Sequence, residues 1–122
     1  MTVLRFATVF GHSKRSRFDL VANLFVGQAL TRDLAAAGHQ VRAASRGATA
    51  IQHTNIEPFA LPDLSEPADW APMLDGMDAV VHLAGIAHAG AGIAEDRYDR
   101  VNRAATAELA AAATRAGIKR FV

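Results

Sequence analysis

The stretch Ala79-Val80-Val81-His82-Leu83-Ala84 is apolar at every position but one. A strand with one wet face alternates apolar and polar residues, so a nearly continuous run reads as a strand buried on both faces, as in a parallel sheet. Working back toward the N-terminus, Pro67 to Leu74 predicts a short helix closed by Gly76, and Ile56 to Leu61 a weaker strand interrupted by Pro58. Ser45 to Asn55 is a polar loop and Gln40 to Ala44 a short strand. Phe18 to Ala37 predicts a helix, with Leu20, Leu24, Gly27, Thr31 and Leu34 at 3–4 spacing and Gly38 as its stop. Gly27 inside that helix costs roughly 1 kcal/mol against alanine, which points to close packing or to an inherited turn position. Before it, Gly11 to Arg17 is a polar, basic loop and Val3 to Phe10 a strand rich in β-branched and aromatic residues. Downstream, Gly85 to Gly92 is a small-residue loop, Ala94 to Ala116 an alanine-rich helix ending at Gly117, and Lys119 to Val122 the start of another strand.

The order β-α-β-β-α-β-α-β predicts one α/β domain: an open parallel sheet of about five strands with helices on both faces. The 122 residues suffice for one core. With 51% hydrophobic and 20% charged residues the composition is globular, and a net charge of +1 gives no global field toward nucleic acid or a membrane surface. Lys14, Arg15 and Arg17 bunch locally, which a solvated loop explains. No cysteine is present, which excludes disulfides, thiolate metal sites and a cysteine nucleophile. His12, His39, His53, His82 and His88 show no metal-ligand spacing. No apolar run is long enough to span a bilayer and no cleavage site follows the opening residues, so the expected location is cytoplasmic.

From Gly27 to Val122 the chain resembles the first half of the extended short-chain dehydrogenase/reductase family, the NAD(P)-dependent nucleotide-sugar epimerases and dehydratases. The likeness is carried in order by Phe25-Val-Gly-Gln-Ala-Leu30, Leu34-Ala-Ala-Ala-Gly-His-Gln-Val-Arg-Ala43, Asp63-Leu64, Asp78-Ala-Val-Val-His-Leu-Ala-Gly85, Tyr98-Asp-Arg-Val-Asn102 and the closing Arg120-Phe-Val122. The resemblance implies a Rossmann fold truncated to its first strands, with NAD or NADP as cofactor and a nucleotide sugar as partner. Two departures accompany it. The family's TGxxGxxG turn, whose backbone N–H groups and following helix hold the pyrophosphate, keeps only Gly27, with Leu20, Val21 and Leu24 where the threonine and earlier glycines stand. Residues 4–26 instead resemble a strand-loop-helix from the family's second half, as though joined near Phe25–Gly27. Dinucleotide binding is therefore expected to be weak or lost.

The resemblance implies further roles, each beside a plainer reading. Asp63 accepts a hydrogen bond from the adenine amino group, or is a turn residue after Pro62, with Leu64 beside it. Arg46, after Ser45, pairs with a 2′-phosphate and tilts the cofactor toward NADP, or is a surface arginine. Leu83, Ala84 and Gly85 let a nucleotide lie against the backbone, or simply pack closely. Asn102 supports the active site, or satisfies a local backbone group; His82 reads as a packed strand residue. The family's chemistry needs a serine and a YxxxK pair to move a proton while hydride goes to or from the nicotinamide. The only tyrosine, Tyr98, has Asn102 four residues on, so no YxxxK exists here. The expectation is a partial NAD(P)-binding domain, not competent by itself. The rivals are a non-catalytic module that self-associates through the sheet edge at Lys119–Val122 and a nonfunctional gene fragment.

Overall fold

The computed structural model describes residues 2–7, 17–45, 53–85 and 94–122, those before residue 27 by backbone alone. Its strands are β1 (Thr2–Ala7), β2 (Gln40–Ser45), β3 (Ile56–Ala60), β4 (Ala79–His82) and β5 (Arg120–Phe121). They form one parallel sheet in the order β3-β2-β1-β4-β5. β1 is central: Val3 pairs with Val41 on one side and Ala79 on the other. The chain steps leftward through β2 and β3, then crosses back to β4, which makes the gap between β1 and β4 a topological switch point.

Strand alternation sorts the core into two clusters. Val41, Ala43 and Ile56 face helix α1 (Arg17–Ala36) and pack with Leu34 and Ala35. Ala44 and Val80 point the other way and join Leu61, Leu64, Trp70, Met73, Leu74, Val101, Ala105, Leu109, Ala112 and Ala113. These come from α2 (Ala71–Leu74), α4 (Ala105–Arg115) and the segments before them. Val80 and Leu109 are both 0% exposed. Helices thus cover both faces.

α1 ends where Gly38 takes φ +89°, with the Gly38 and His39 N–H groups closing onto the carbonyls of Ala35 and Leu34. That left-handed stop strongly favours glycine. Pro58 is compatible with β3 because β3 is an edge strand, where a missing N–H breaks no ladder.

Three expected elements come out differently. The helix expected over Pro67–Leu74 is a single turn, Ala71–Leu74. Asp69 accepts the Ala71 N–H at 3.0 Å, so helical bonding starts only there. β4 stops at His82, and Leu83 to Gly85 lie beyond the sheet, because β1 pairs with β4 no further than Phe6↔His82. The single helix expected over Ala94–Ala116 is three segments: α3 (Glu95–Tyr98), a π-helical segment (Asp99–Ala104) and α4.

Arg42, on β2, ties the sheet to α2. Its Nη1 donates to the carbonyls of Pro72 at 3.3 Å, Met73 at 3.0 Å and Asp75 at 3.1 Å. Its Nε donates to Glu57 at 3.0 Å, and its guanidinium lies 5.5 Å from the Phe59 ring centre. The last turn of a helix leaves carbonyls without intrahelical donors, and this arginine supplies them.

Candidate functional site

In open parallel sheets, ligands lie outside the carboxyl ends of the strands. At those ends the described residues place Ser45 as the last residue of β2, Leu61 to Glu66 after β3, and Leu83 to Gly85 after β4. β3 and β4 are separated by two strands, so a ligand reaching both loops spans three inter-strand spacings, about 14 Å.

The loop after β3 is a closed turn. Asp63 Oδ1 accepts the Ser65 N–H at 2.9 Å and the Ser65 hydroxyl at 2.7 Å, and the Glu66 N–H donates to the Asp63 carbonyl at 3.3 Å. The carboxylate therefore already serves the turn. Leu64 is buried in the core and offers a ligand only its backbone. From the side, Arg100 Nη2 donates to the Glu66 carbonyl at 2.8 Å.

The loop after β4 meets the π-helical segment. A Cβ built on Gly85 would stand 3.1 Å from the Asn102 Oδ1, so the Asn102 side chain lies against the Gly85 backbone. These two sequence-selected residues are brought together. A thread of hydrogen bonds runs below them. The Thr106 hydroxyl donates to the Asn102 carbonyl at 2.8 Å, and His82 Nε2 stands 2.9 Å from the same hydroxyl. A hydroxyl has one proton to give, so with it spent on Asn102 the His82 Nε2 carries the hydrogen and donates. His82 and Thr106 thus belong to the support of this loop. The Asn102–Thr106 spacing of four residues on a helix was the available signal, while the bond from Thr106 to a histidine on β4 left none in sequence.

Burial holds the His82 pKa below its ordinary value. A buried neutral histidine is a liability in acid: the unfolded chain takes up a proton near the ordinary value of about 6.5 and the folded one only lower. Its contribution is therefore nil above that pH and destabilising as pH falls through it. Urea unfolding between pH 7.5 and 5 should show stability falling more steeply for the wild type than for His82→Gln; parallel profiles would contradict this assignment.

Gly27, expected at the phosphate turn, lies in the eleventh position of the unbroken α1. Thr31, 0% exposed, donates its hydroxyl to the Gly27 carbonyl at 2.8 Å. Leu20, Val21 and Leu24 belong to the same helix, so residues 20–27 form helix and not a turn. Arg46 lies outside the described residues.

A shallow groove of about 620 Å³ runs beside Asn102 along α3 and α4, lined by Tyr98, Arg103, Thr106 and Ala110 among others. A second cavity of about 550 Å³, beside Trp70, Leu74 and Arg115, sits at the amino ends of β4 and β5, away from the loops above. Among the described residues no three metal-ligating side chains gather, and no helix is long and apolar enough to cross a membrane.

The model of the NAD dependent epimerase/dehydratase family matches residues 22–122. Among solved structures, a short-chain dehydrogenase/reductase superfamily protein from Agrobacterium tumefaciens with bound NAD is 26% identical, with a TM-score of 0.69 over 99% of this chain and 31% of its own. MoeE5, in complex with UDP-glucuronic acid and NAD, is 22% identical at a TM-score of 0.71 over 99% of this chain and 35% of its own. A GalE-like L-threonine dehydrogenase from Cupriavidus necator is 16% identical at 0.70, with the same two coverages as MoeE5. These likenesses show an α/β Rossmann-like fold. The chain spans about a third of the length of each. No curated protein matches it.

Proposed function

Because the chain belongs to the NAD dependent epimerase/dehydratase family, we propose that it is the NAD(P)-binding portion of an enzyme acting on nucleotide sugars. By itself it holds an adenine dinucleotide weakly and does not turn over. The carrying observation is the pairing of the Asp63 turn after β3 with the Gly85–Asn102 contact after β4, on either side of the switch point. Asp63 meets the adenine end, Leu83 to Gly85 let the dinucleotide lie against backbone, and Asn102 fixes that backbone. Arg46 follows β2, where a 2′-phosphate is read, and supports a tilt to NADP.

Weak binding follows from α1. Gly27 and its neighbours are helical, so the N–H of Gly27 is in the helix interior and not at a phosphate-facing terminus. The family match starts at residue 22, which fits a different origin for residues 4–21, while residues 22–26 fall within the match. The known cofactors and the UDP-sugar of the solved structures support the ligand class.

Isothermal titration of the purified chain tests this. The expected result is binding of NAD or NADP only at high micromolar to millimolar ligand (about −4 to −6 kcal/mol), with no conversion of a UDP-sugar. Submicromolar affinity would refute the weakened crevice, and turnover would refute the incompetence. A second reading is self-association through β5, the strand at one edge of the sheet. Light scattering that gives a strict monomer at high concentration removes it.

A further inference from the structure

Arg100 is committed to one geometry. Its Nη1 and Nη2 donate to the two carboxylate oxygens of Glu108 at 2.7 and 2.9 Å, and Nη2 also reaches the Glu66 carbonyl at 2.8 Å. The Arg100 hydrogen bond holds the Glu108 carboxyl below its ordinary pKa, with the Trp70 indole adding to the effect, so the pair stays charged at neutral pH. Arg100 is on the π-helical segment and Glu108 on α4, whereas Glu66 closes the turn that begins at Asp63. A bidentate pair fixes the plane of the guanidinium, so the bond to Glu66 acts as a rigid strut. Leu64 pins the same turn from beneath.

We propose that Arg100, oriented by Glu108, is a positioning residue that holds the Asp63–Glu66 turn in the shape that meets the nucleotide. This rests on the nucleotide-binding reading above. Arg100 itself touches no ligand: it acts through the Glu66 carbonyl. The family resemblance singled out Asp63 and Leu64; Arg100 stands inside the Tyr98–Asn102 stretch that carries the likeness, but its pairing with Glu108 on α4 and with the Glu66 carbonyl is no part of it.

The test measures two quantities on the full chain: NAD affinity by titration, and amide hydrogen exchange at Ser65 and Glu66. Arg100→Met should weaken NAD binding about tenfold and speed exchange at both amides by a similar factor, the loss of one charge-assisted hydrogen bond. Arg100→Lys, which cannot serve both partners with a planar fork, should fall between, as should Glu108→Gln if the methionine variant fails to fold. Ile56→Val, on the opposite face, should lower the melting temperature while leaving NAD affinity and the two amides unchanged. Wild-type exchange in Arg100→Met overturns the proposal, and so does faster exchange with unaltered NAD affinity. If the wild type itself gives no heat with NAD, the nucleotide-binding reading falls, and exchange alone decides whether Arg100 holds the turn.

Discussion

Leu109→Ala is expected to cost about 2–5 kcal/mol and to lower the melting temperature by roughly 8–20 °C for a domain of this size. Leu109 is fully buried in the larger cluster, which also holds Val80 of β4 and Leu64 of the β3 loop. Truncation removes apolar contact and leaves a cavity whose walls come from several elements, so it cannot collapse by moving one side chain. Since such domains have about 5–15 kcal/mol in hand, the variant should be close to unfolding at 37 °C. A loss below about 1 kcal/mol in urea titration would show that this face is not the packed core.

Arg42→Met should be the second severe change, at about 2–3 kcal/mol. Three carbonyls at the end of α2 and the Glu57 carboxylate lose their donor together. Methionine keeps much of the stem's packing, so the loss reports hydrogen bonding and not volume. The Arg42 side chain is only 14% exposed, and its bond to the Met73 carbonyl is part-buried, so water replaces that bond least well. The chain has one tryptophan, Trp70, buried just before α2. Its fluorescence should shift to the red in the variant at pH 7 while far-UV circular dichroism holds. An unshifted spectrum with native stability would mean α2 does not depend on Arg42.

Much of the frame was readable in the sequence because it rests on local chemistry. The apolar Ala79–Ala84 run and the stops at Gly38 and Gly117, which adopt φ +89° and +76°, act within a few residues. The α/β order followed from them. The π-helical segment was hidden, since helix propensity and spacing read the same for Tyr98-Asp-Arg-Val-Asn102 whether a turn holds four residues or one more. The Pro67–Leu74 helix was overextended: the Asp69 carboxylate takes the Ala71 N–H two residues on, a local turn signal that starts the helix later.

At the site, resemblance selected Gly85 and Asn102, and the two are in contact. It also selected Gly27, whose environment is decided by what precedes it: a helix already ten residues long. The partnerships of His82 with Thr106 and of Arg100 with Glu108 were hidden for a common reason. Each links two elements, and pairings between elements are fixed by packing.

The sheet order carries one more implication. β2 and β4 share no ladder, so the backbone network of the left pair, β2 and β3, reaches that of the right pair, β4 and β5, through β1 alone. Six residues near the N-terminus thereby act as the splice plate of a jointed beam. Were they peeled away, the remaining pairs would be left as two narrow ribbons with no backbone ladder between them.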